Sequence, residues 1–195
     1  MRLPVICLVV IASVLSCLPS LGQVPVFQVT PIESSIRLHT KYSRPLTADF
    51  AKWHATLTFA SRDPTSAALH VEIQTASLHS TNSQNDDELK SKDVLNVAQD
   101  PVISFKSSKS VQTGKTTYNL IGTLTMRGVS KPATLNLVVA NEGGGSGYIQ
   151  GVVSIDLKDY RMTTNSKTGD HGEVDLNLKV EHVSGPELIF KKFRP

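Results

Sequence analysis

The stretch LTMRGVSKPATLNL, Leu124 to Leu137, decides the fold. Two alternating runs flank a short basic link containing Gly128, Lys131 and Pro132, the mark of a β-hairpin or a tight strand-to-strand corner. Period two sends every second side chain to one face, so each flanking run carries an apolar side that has to be buried.

The same period extends outward in both directions. Upstream, Ala55, Leu57 and Phe59 alternate with His54, Thr56 and Thr58, and Leu69, Val71 and Ile73 alternate with His70, Glu72 and Gln74. Ile103 and Phe105 follow, then Tyr118, Leu120, Gly122, Leu124 and Met126. Downstream come Leu135, Leu137 and Val139, then Ile149 to Leu157, then Val174, Leu176, Leu178 and Val180. With early segments around Val26–Val29 and Ser35–Thr40, about eight or nine strands are expected. They are joined by turn chemistry at Asp63-Pro64, Thr113-Gly114, Gly128, Gly143 to Gly147 and Asp170-His171-Gly172. Helical patterning is confined to Asn85–Pro101, where acidic residues at a possible start (Asp86, Asp87, Glu88) precede apolar Leu89, Val94, Leu95 and Val97. This predicts one or two helical turns crossing an end of the sheet.

An antiparallel sheet with one apolar face and no helices to cover it buries that face against a second sheet or by curling into a barrel. A barrel also removes exposed strand edges and is the preferred reading over the sandwich. The expected fold is all-β, an antiparallel barrel of about eight strands with one short helical segment. Its inward positions are Leu57, Phe59, Val71, Ile73, Ile103, Phe105, Tyr118, Leu120, Leu124, Met126, Leu135, Leu137, Ile155, Leu176 and Leu178, none of them charged. At this size the interior is either packed solid or holds one small ligand. Two features favour a lumen: Gly122 and Gly151 interrupt inward faces mid-strand, and aromatics are only 6% of the chain, with Trp53 the sole tryptophan.

The first residues, MRLPVICLVVIASVLSCLPSLGQ, read as a secretory signal. Arg2 is a minimal basic start, Pro4–Leu15 is the apolar run, and Ser20 and Gly22 are the small residues of a cleavage site after Gly22. The run is too short to span a bilayer. Val14-Leu15-Ser16-Cys17 loosely fits a lipoprotein signal with Cys17 lipidated, a less favoured reading. Residues 23–195 then form one domain in the periplasm or outside the cell. Both cysteines, Cys7 and Cys17, fall in the signal, so the mature chain has no thiol chemistry. The net charge is +3, with no run of like charges, which gives no case for nucleic acid.

Enzymatic readings find little support. His39, His54, His70, His79, His171 and His182 show no ligand spacing, and most fall on outward strand faces. His171 lies beside Asp170 and Glu173, but a turn built on Gly169, Asp170 and Gly172 explains that segment equally well. Gly143-Gly144-Gly145-Ser146-Gly147 matches neither a nucleophile elbow nor a phosphate loop.

LIGTLTMRGVSKPATLNLVV, Leu120 to Val139, and ELKSKDVLNVAQDPVISFKSS, Glu88 to Ser108, resemble the two signature blocks of the YceI-like family. Departures are Glu88 in place of a His, Val94-Leu95 in place of an aromatic pair, Thr40-Lys41-Tyr42 in place of a basic-His pair, and Lys158-Asp159-Tyr160-Arg161 in place of Arg-x-x-Phe-Gly. The resemblance implies a lipocalin-like barrel in the periplasm that binds a long polyisoprenoid or similar amphiphilic lipid, such as a polyprenyl or quinone, without catalysis and without an obligatory cofactor. Arg127 and Lys131 would then stand at the rim and orient an anionic head group such as a pyrophosphate; the alternative is that they are ordinary solvated hairpin charges. Transient membrane contact fits this reading, and a homodimer has no sequence support. Two other classes stay open: a packed-core scaffold or stress-associated protein without ligand, and a hydrolase or isomerase with acidic or imidazole groups at the mouth.

Overall fold

The computed structural model describes residues 23–40, 46–143, 145–163 and 170–193. Residues 1–22, which carry the expected signal with Arg2, Cys7, Cys17 and Gly22, lie outside them, as do Lys41-Tyr42, Gly144 and Gly169.

Among the described residues ten strands form one antiparallel sheet curled into a half-barrel. They are β1 (Val26–Thr40), β2 (Leu46–Phe50), β3 (Trp53–Phe59), β4 (Ala67–Gln74), β5 (Leu78–Ser80), β6 (Val102–Gln112), β7 (Thr117–Met126), β8 (Val129–Gly143), β9 (Ser146–Asp156) and β10 (His171–Ser184). The order across the sheet is β3-β4-β6-β7-β8-β9-β10-β1-β2-β5. The fold class is as expected and the strand count differs for a physical reason. The two early segments are one strand interrupted by an irregularity between Thr30 and Ser35, and two short strands, β2 and β5, carry too few alternations to register as a pattern.

The curl draws the ends of the sheet together. Ala51 and Lys52, between β2 and β3, are stitched to the turn at Thr75–Ser77, between β4 and β5. The Ala51 and Lys52 amides donate to the Ser77 carbonyl (3.2 Å) and hydroxyl (3.0 Å), and the Gln74 amide donates to the Lys52 carbonyl (2.9 Å).

The hairpin of the opening stretch is tighter than its sequence suggests. Met126 pairs with Val129, so the link is Arg127-Gly128 alone, with φ of +50° and +65°. Two consecutive positive φ values are the geometry of a type I′ turn, whose twist matches the flanking strands. Lys131 and Pro132 are therefore strand residues. Pro132 sits opposite Thr123, on a stretch of β8 that β9 reaches only from Asn136 onward, so its missing N–H breaks no ladder on that side.

Helix α1 (Ser83–Lys90) starts slightly earlier than expected because Asn82 caps it, its side-chain oxygen accepting from the Gln84 amide at 2.9 Å. Turns carry the chain on to Asp100. Leu89, Val94 and Leu95 are buried, fastening this segment over one end of the half-barrel.

Candidate functional site

The concave face of the sheet encloses two separate apolar spaces. A cavity of about 370 Å³ lies at the end opposite α1, and one of about 50 Å³ lies under α1. Around the large cavity small residues, Ala67, Ser110, Ala140, Gly145 and Gly147, stand among the rings of Phe27, Phe59, Tyr118 and Phe190, whereas Phe50, Phe105, Leu124 and Met126 surround the small one. Leu89, Val94, Leu95, Leu157 and Met162, all buried, close the small end into a floor.

The expected lumen residues divide between the two spaces. Leu57, Phe59, Tyr118, Leu120 and Leu137 line the large cavity. Val71, Ile73, Ile103, Phe105, Leu124, Met126, Leu135, Ile155 and Leu176 line the small one, where they act chiefly as packed core. Leu178 lines neither. It is wholly buried between Leu176, at the small space, and Val180, at the large one, so it belongs to the layer that divides them.

Gly122 and Gly151 do not open the lumen. A Cβ at Gly151 would lie 2.5 Å from Leu137 Cδ2 and 3.0 Å from Leu135 Cδ1, so leucines already occupy the room the glycine leaves. A Cβ at Gly122 would lie 2.3 Å from the Lys106 carbonyl oxygen, where β6 bulges at Ser107–Lys109 and its backbone comes close. Both glycines serve packing.

Arg127 and Lys131 stand at the floor, away from the large cavity. The Arg127 guanidinium donates to the backbone carbonyls of Lys92 (2.7 Å), Asp93 (3.3 Å) and Arg161, latching the α1 segment to the turn that follows β9. Lys131 pairs with Asp159 at 3.0 Å. In this arrangement both charges serve loop attachment at the closed end.

The wide end is roofed by the segment that follows β10. The Ile189 amide donates to the Arg62 carbonyl (2.8 Å), Arg62 Nε donates to the Glu187 carbonyl (2.9 Å), and Lys191 Nζ meets Asp63 Oδ2 at 2.5 Å. Leu188 and Phe190 thereby reach the cavity wall, Phe190 remaining half exposed. The Lys191 ammonium, with the Thr65 amide and hydroxyl, holds the Asp63 carboxyl at a pKa of about 2.

Polar atoms in this wall are few, and sequence reasoning missed most of them. Tyr118 Oη, Ser110 Oγ and His182 Nε2 are buried without a hydrogen-bond partner. His182 continues the inward series Val174, Leu176, Leu178, Val180, so extending the period by one more step would have found it. Ser110 is hidden by the β6 bulge, which shifts the phase of alternation. The other histidines meet ordinary surface partners: His39 contacts Thr47 and Asp175, His54 contacts Thr56, His70 contacts Glu72 and His79 contacts the Ser77 carbonyl, while His171 is exposed. Among the described residues no cluster of three or more His, Cys, Asp or Glu has the arrangement of a metal site.

A family model described as YceI-like domain matches residues 27–181. The UPF0312 protein of Yersinia pestis (strain Pestoides F) is 34% identical over 150 residues, 74% of this chain and 77% of that protein. A UPF0312 protein of Pseudomonas savastanoi pv. phaseolicola is 30% identical over 135 residues, 67% and 70% of the two chains. Among solved structures, Burkholderia cenocepacia BcnA superposes with a TM-score of 0.72 at 24% identity, covering 78% of this chain and 99% of that one. A polyisoprenoid binding domain from Saccharophagus degradans, implicated in plant cell wall breakdown, superposes with a TM-score of 0.62 at 13% identity, covering 82% and 99%.

Proposed function

The chain belongs to the YceI-like domain family, and from that premise we infer that it binds an isoprenoid or similar amphiphilic lipid in its half-barrel, holding or carrying the lipid without transforming it. One observation carries this reading: an apolar cavity of about 370 Å³ at the wide end of the half-barrel, within the range of small-molecule sites. The polyisoprenoid binding named for the Saccharophagus degradans domain supports the ligand class.

Physical arithmetic supports the same reading. At roughly 30 Å³ per heavy atom, as for a molecule of liquid water, the cavity holds about a dozen carbons. Burying them is worth roughly 10 kcal/mol against an association cost that starts near ~4 kcal/mol. A longer chain keeps its remainder outside or displaces the leucine layer. Ser110 Oγ and His182 Nε2, the hydroxyl and imidazole buried in the wall, are both without hydrogen-bond partners, so these two do not form a nucleophile–base pair. Export through the signal at residues 1–22 would place the protein in the periplasm or outside the cell, where lipid exchange involves transient membrane contact. Lipidation of Cys17 is the lesser alternative.

Native mass spectrometry of the exported protein, followed by solvent extraction, tests this. A stoichiometric lipid adduct is expected, reduced more than tenfold in Leu57→Trp, which places an indole in the cavity. A bare mass that also takes up no added polyprenol or quinone would favour the packed scaffold instead.

A further inference from the structure

Among the described residues, four buried side-chain polar atoms have no hydrogen-bond partner, and three of them, Tyr118 Oη, Ser110 Oγ and His182 Nε2, belong to residues that border the apolar cavity at the wide end. Tyr118 is 4% exposed and Ser110 8%. An unmade buried hydrogen bond carries the full desolvation penalty of its group, so native structures keep few of them and rarely keep them together. Such a concentration marks a place where something else supplies the partners.

We propose that Tyr118, Ser110 and His182 form a head-group subsite at the wide end of the half-barrel, which takes the uncharged oxygen of a lipid alcohol or carbonyl and leaves the hydrocarbon tail directed at the leucine layer. This rests on the lipid-binding reading and sharpens it.

The strands bring the three groups to one end. Gln112 pairs with Tyr118 and Ser110 with Leu120, so Ser110 and Tyr118 are diagonal neighbours across β6 and β7. His182 comes from β10, its amide donating to the Gly145 carbonyl at 2.9 Å and its ring packed on Phe27 at 5.2 Å between centroids. These contacts fix the imidazole and leave Nε2 free. Burial and the nearby Asp63 charge raise the Tyr118 phenol above its usual value, so its hydroxyl remains protonated and able to donate.

The wall also selects against charge. Among the described residues that border the large cavity there is no Lys or Arg, and the carboxylate there is that of Glu187. A phosphate or pyrophosphate buried there would meet no cation, and burying an unpaired anion is costly. Arg127 and Lys131, the cations that a rim reading would recruit, are engaged at the opposite end. A hydroxyl or carbonyl oxygen loses little on entry and gains up to three partners.

The test uses three ten-carbon probes of a size that the cavity admits: geraniol, the matching hydrocarbon 2,6-dimethylocta-2,6-diene, and geranyl monophosphate. Each displaces a solvatochromic dye from the delipidated protein, with wild type, Tyr118→Phe and Ser110→Ala in parallel. Geraniol is expected to bind about tenfold more tightly than the hydrocarbon in wild type and within about twofold of it in Tyr118→Phe. Ser110→Ala gives an intermediate ratio. Thermal melting of ligand-free Tyr118→Phe is expected at or above wild type, since the substitution removes an unpaired hydroxyl. Equal binding of alcohol and hydrocarbon in wild type would mean that water alone fills the subsite, and would overturn the proposal while leaving lipid binding intact. Tighter binding of the phosphate would overturn the neutral-head assignment. Failure of all three probes to displace the dye would overturn both the subsite and the lipid-binding reading.

Discussion

Arg127 occupies a backbone conformation that glycine or asparagine would adopt more readily, with φ of +50° at the first position of the β7–β8 turn. Its three carbonyl contacts give the physical reason for a long cation there. Arg127→Asn relieves the turn but releases the latch, so urea denaturation should show a net loss of about 1–2 kcal/mol. Lipid uptake should be unchanged, because the residue lies at the floor. The hairpin was legible from its sequence, whereas the end of the half-barrel on which it sits was not. That depends on where Lys92, Asp93 and Arg161 return in space, and alternation along β7 and β8 carries no trace of those loops. His182 was legible by one more step of the same period; Ser110 was not, since a bulge resets the phase before it.

The elements that decide access are those with the weakest periodic signal. The segment after β10 has no alternation, yet it roofs the cavity through Lys191–Asp63 and the Ile189 amide. The sign of its pH dependence follows from the Asp63 carboxyl, whose folded value of about 2 lies below the ordinary 3.8. A lowered carboxyl stabilises the folded attachment fully above about pH 4 and ceases to do so as pH falls through about 2. The protection factor of the Ile189 amide, its exchange rate set against the intrinsic rate at each pH, should therefore fall across that window. Lys191→Ala should show the faster exchange already at neutral pH, and a chain ending at Ser184 should exchange bound lipid faster than the full chain. The helix was readable from its acidic start and its apolar residues, and the floor it forms follows from Leu89, Val94 and Leu95. Strands β2 and β5, five and three residues long, escape a pattern search because one or two alternations are indistinguishable from chance.

At the scale of the whole molecule, long strands made the antiparallel curl legible, because period two in β7, β8, β9 and β10 persists over 10 residues or more in each. The cavity was not legible in the same way: an inward face reads identically whether it meets a ligand or another side chain. What separates the two halves is closure: the buried Leu89, Val94, Leu95, Leu157 and Met162 pack into one end, whereas small residues such as Ala67, Gly145 and Gly147 stand among the rings of Phe27, Phe59 and Tyr118 at the other. Leu178, wholly buried in the dividing layer, is the place to test that partition. Leu178→Ala should destabilise by about 3–5 kcal/mol, measured by denaturant titration, and should lengthen the longest polyprenol retained in native mass spectrometry by joining the two spaces.

The floor latched by Arg127 and packed with Leu89, Val94 and Leu95 has one more consequence. On the lipid-binding reading proposed above, a half-barrel closed at this floor would take up and release its ligand at the wide end, so whatever loads it and whatever unloads it would press against the same face. The two encounters would then be mutually exclusive: delivery would proceed by release, diffusion and a second docking, with no bridge of three partners across the molecule.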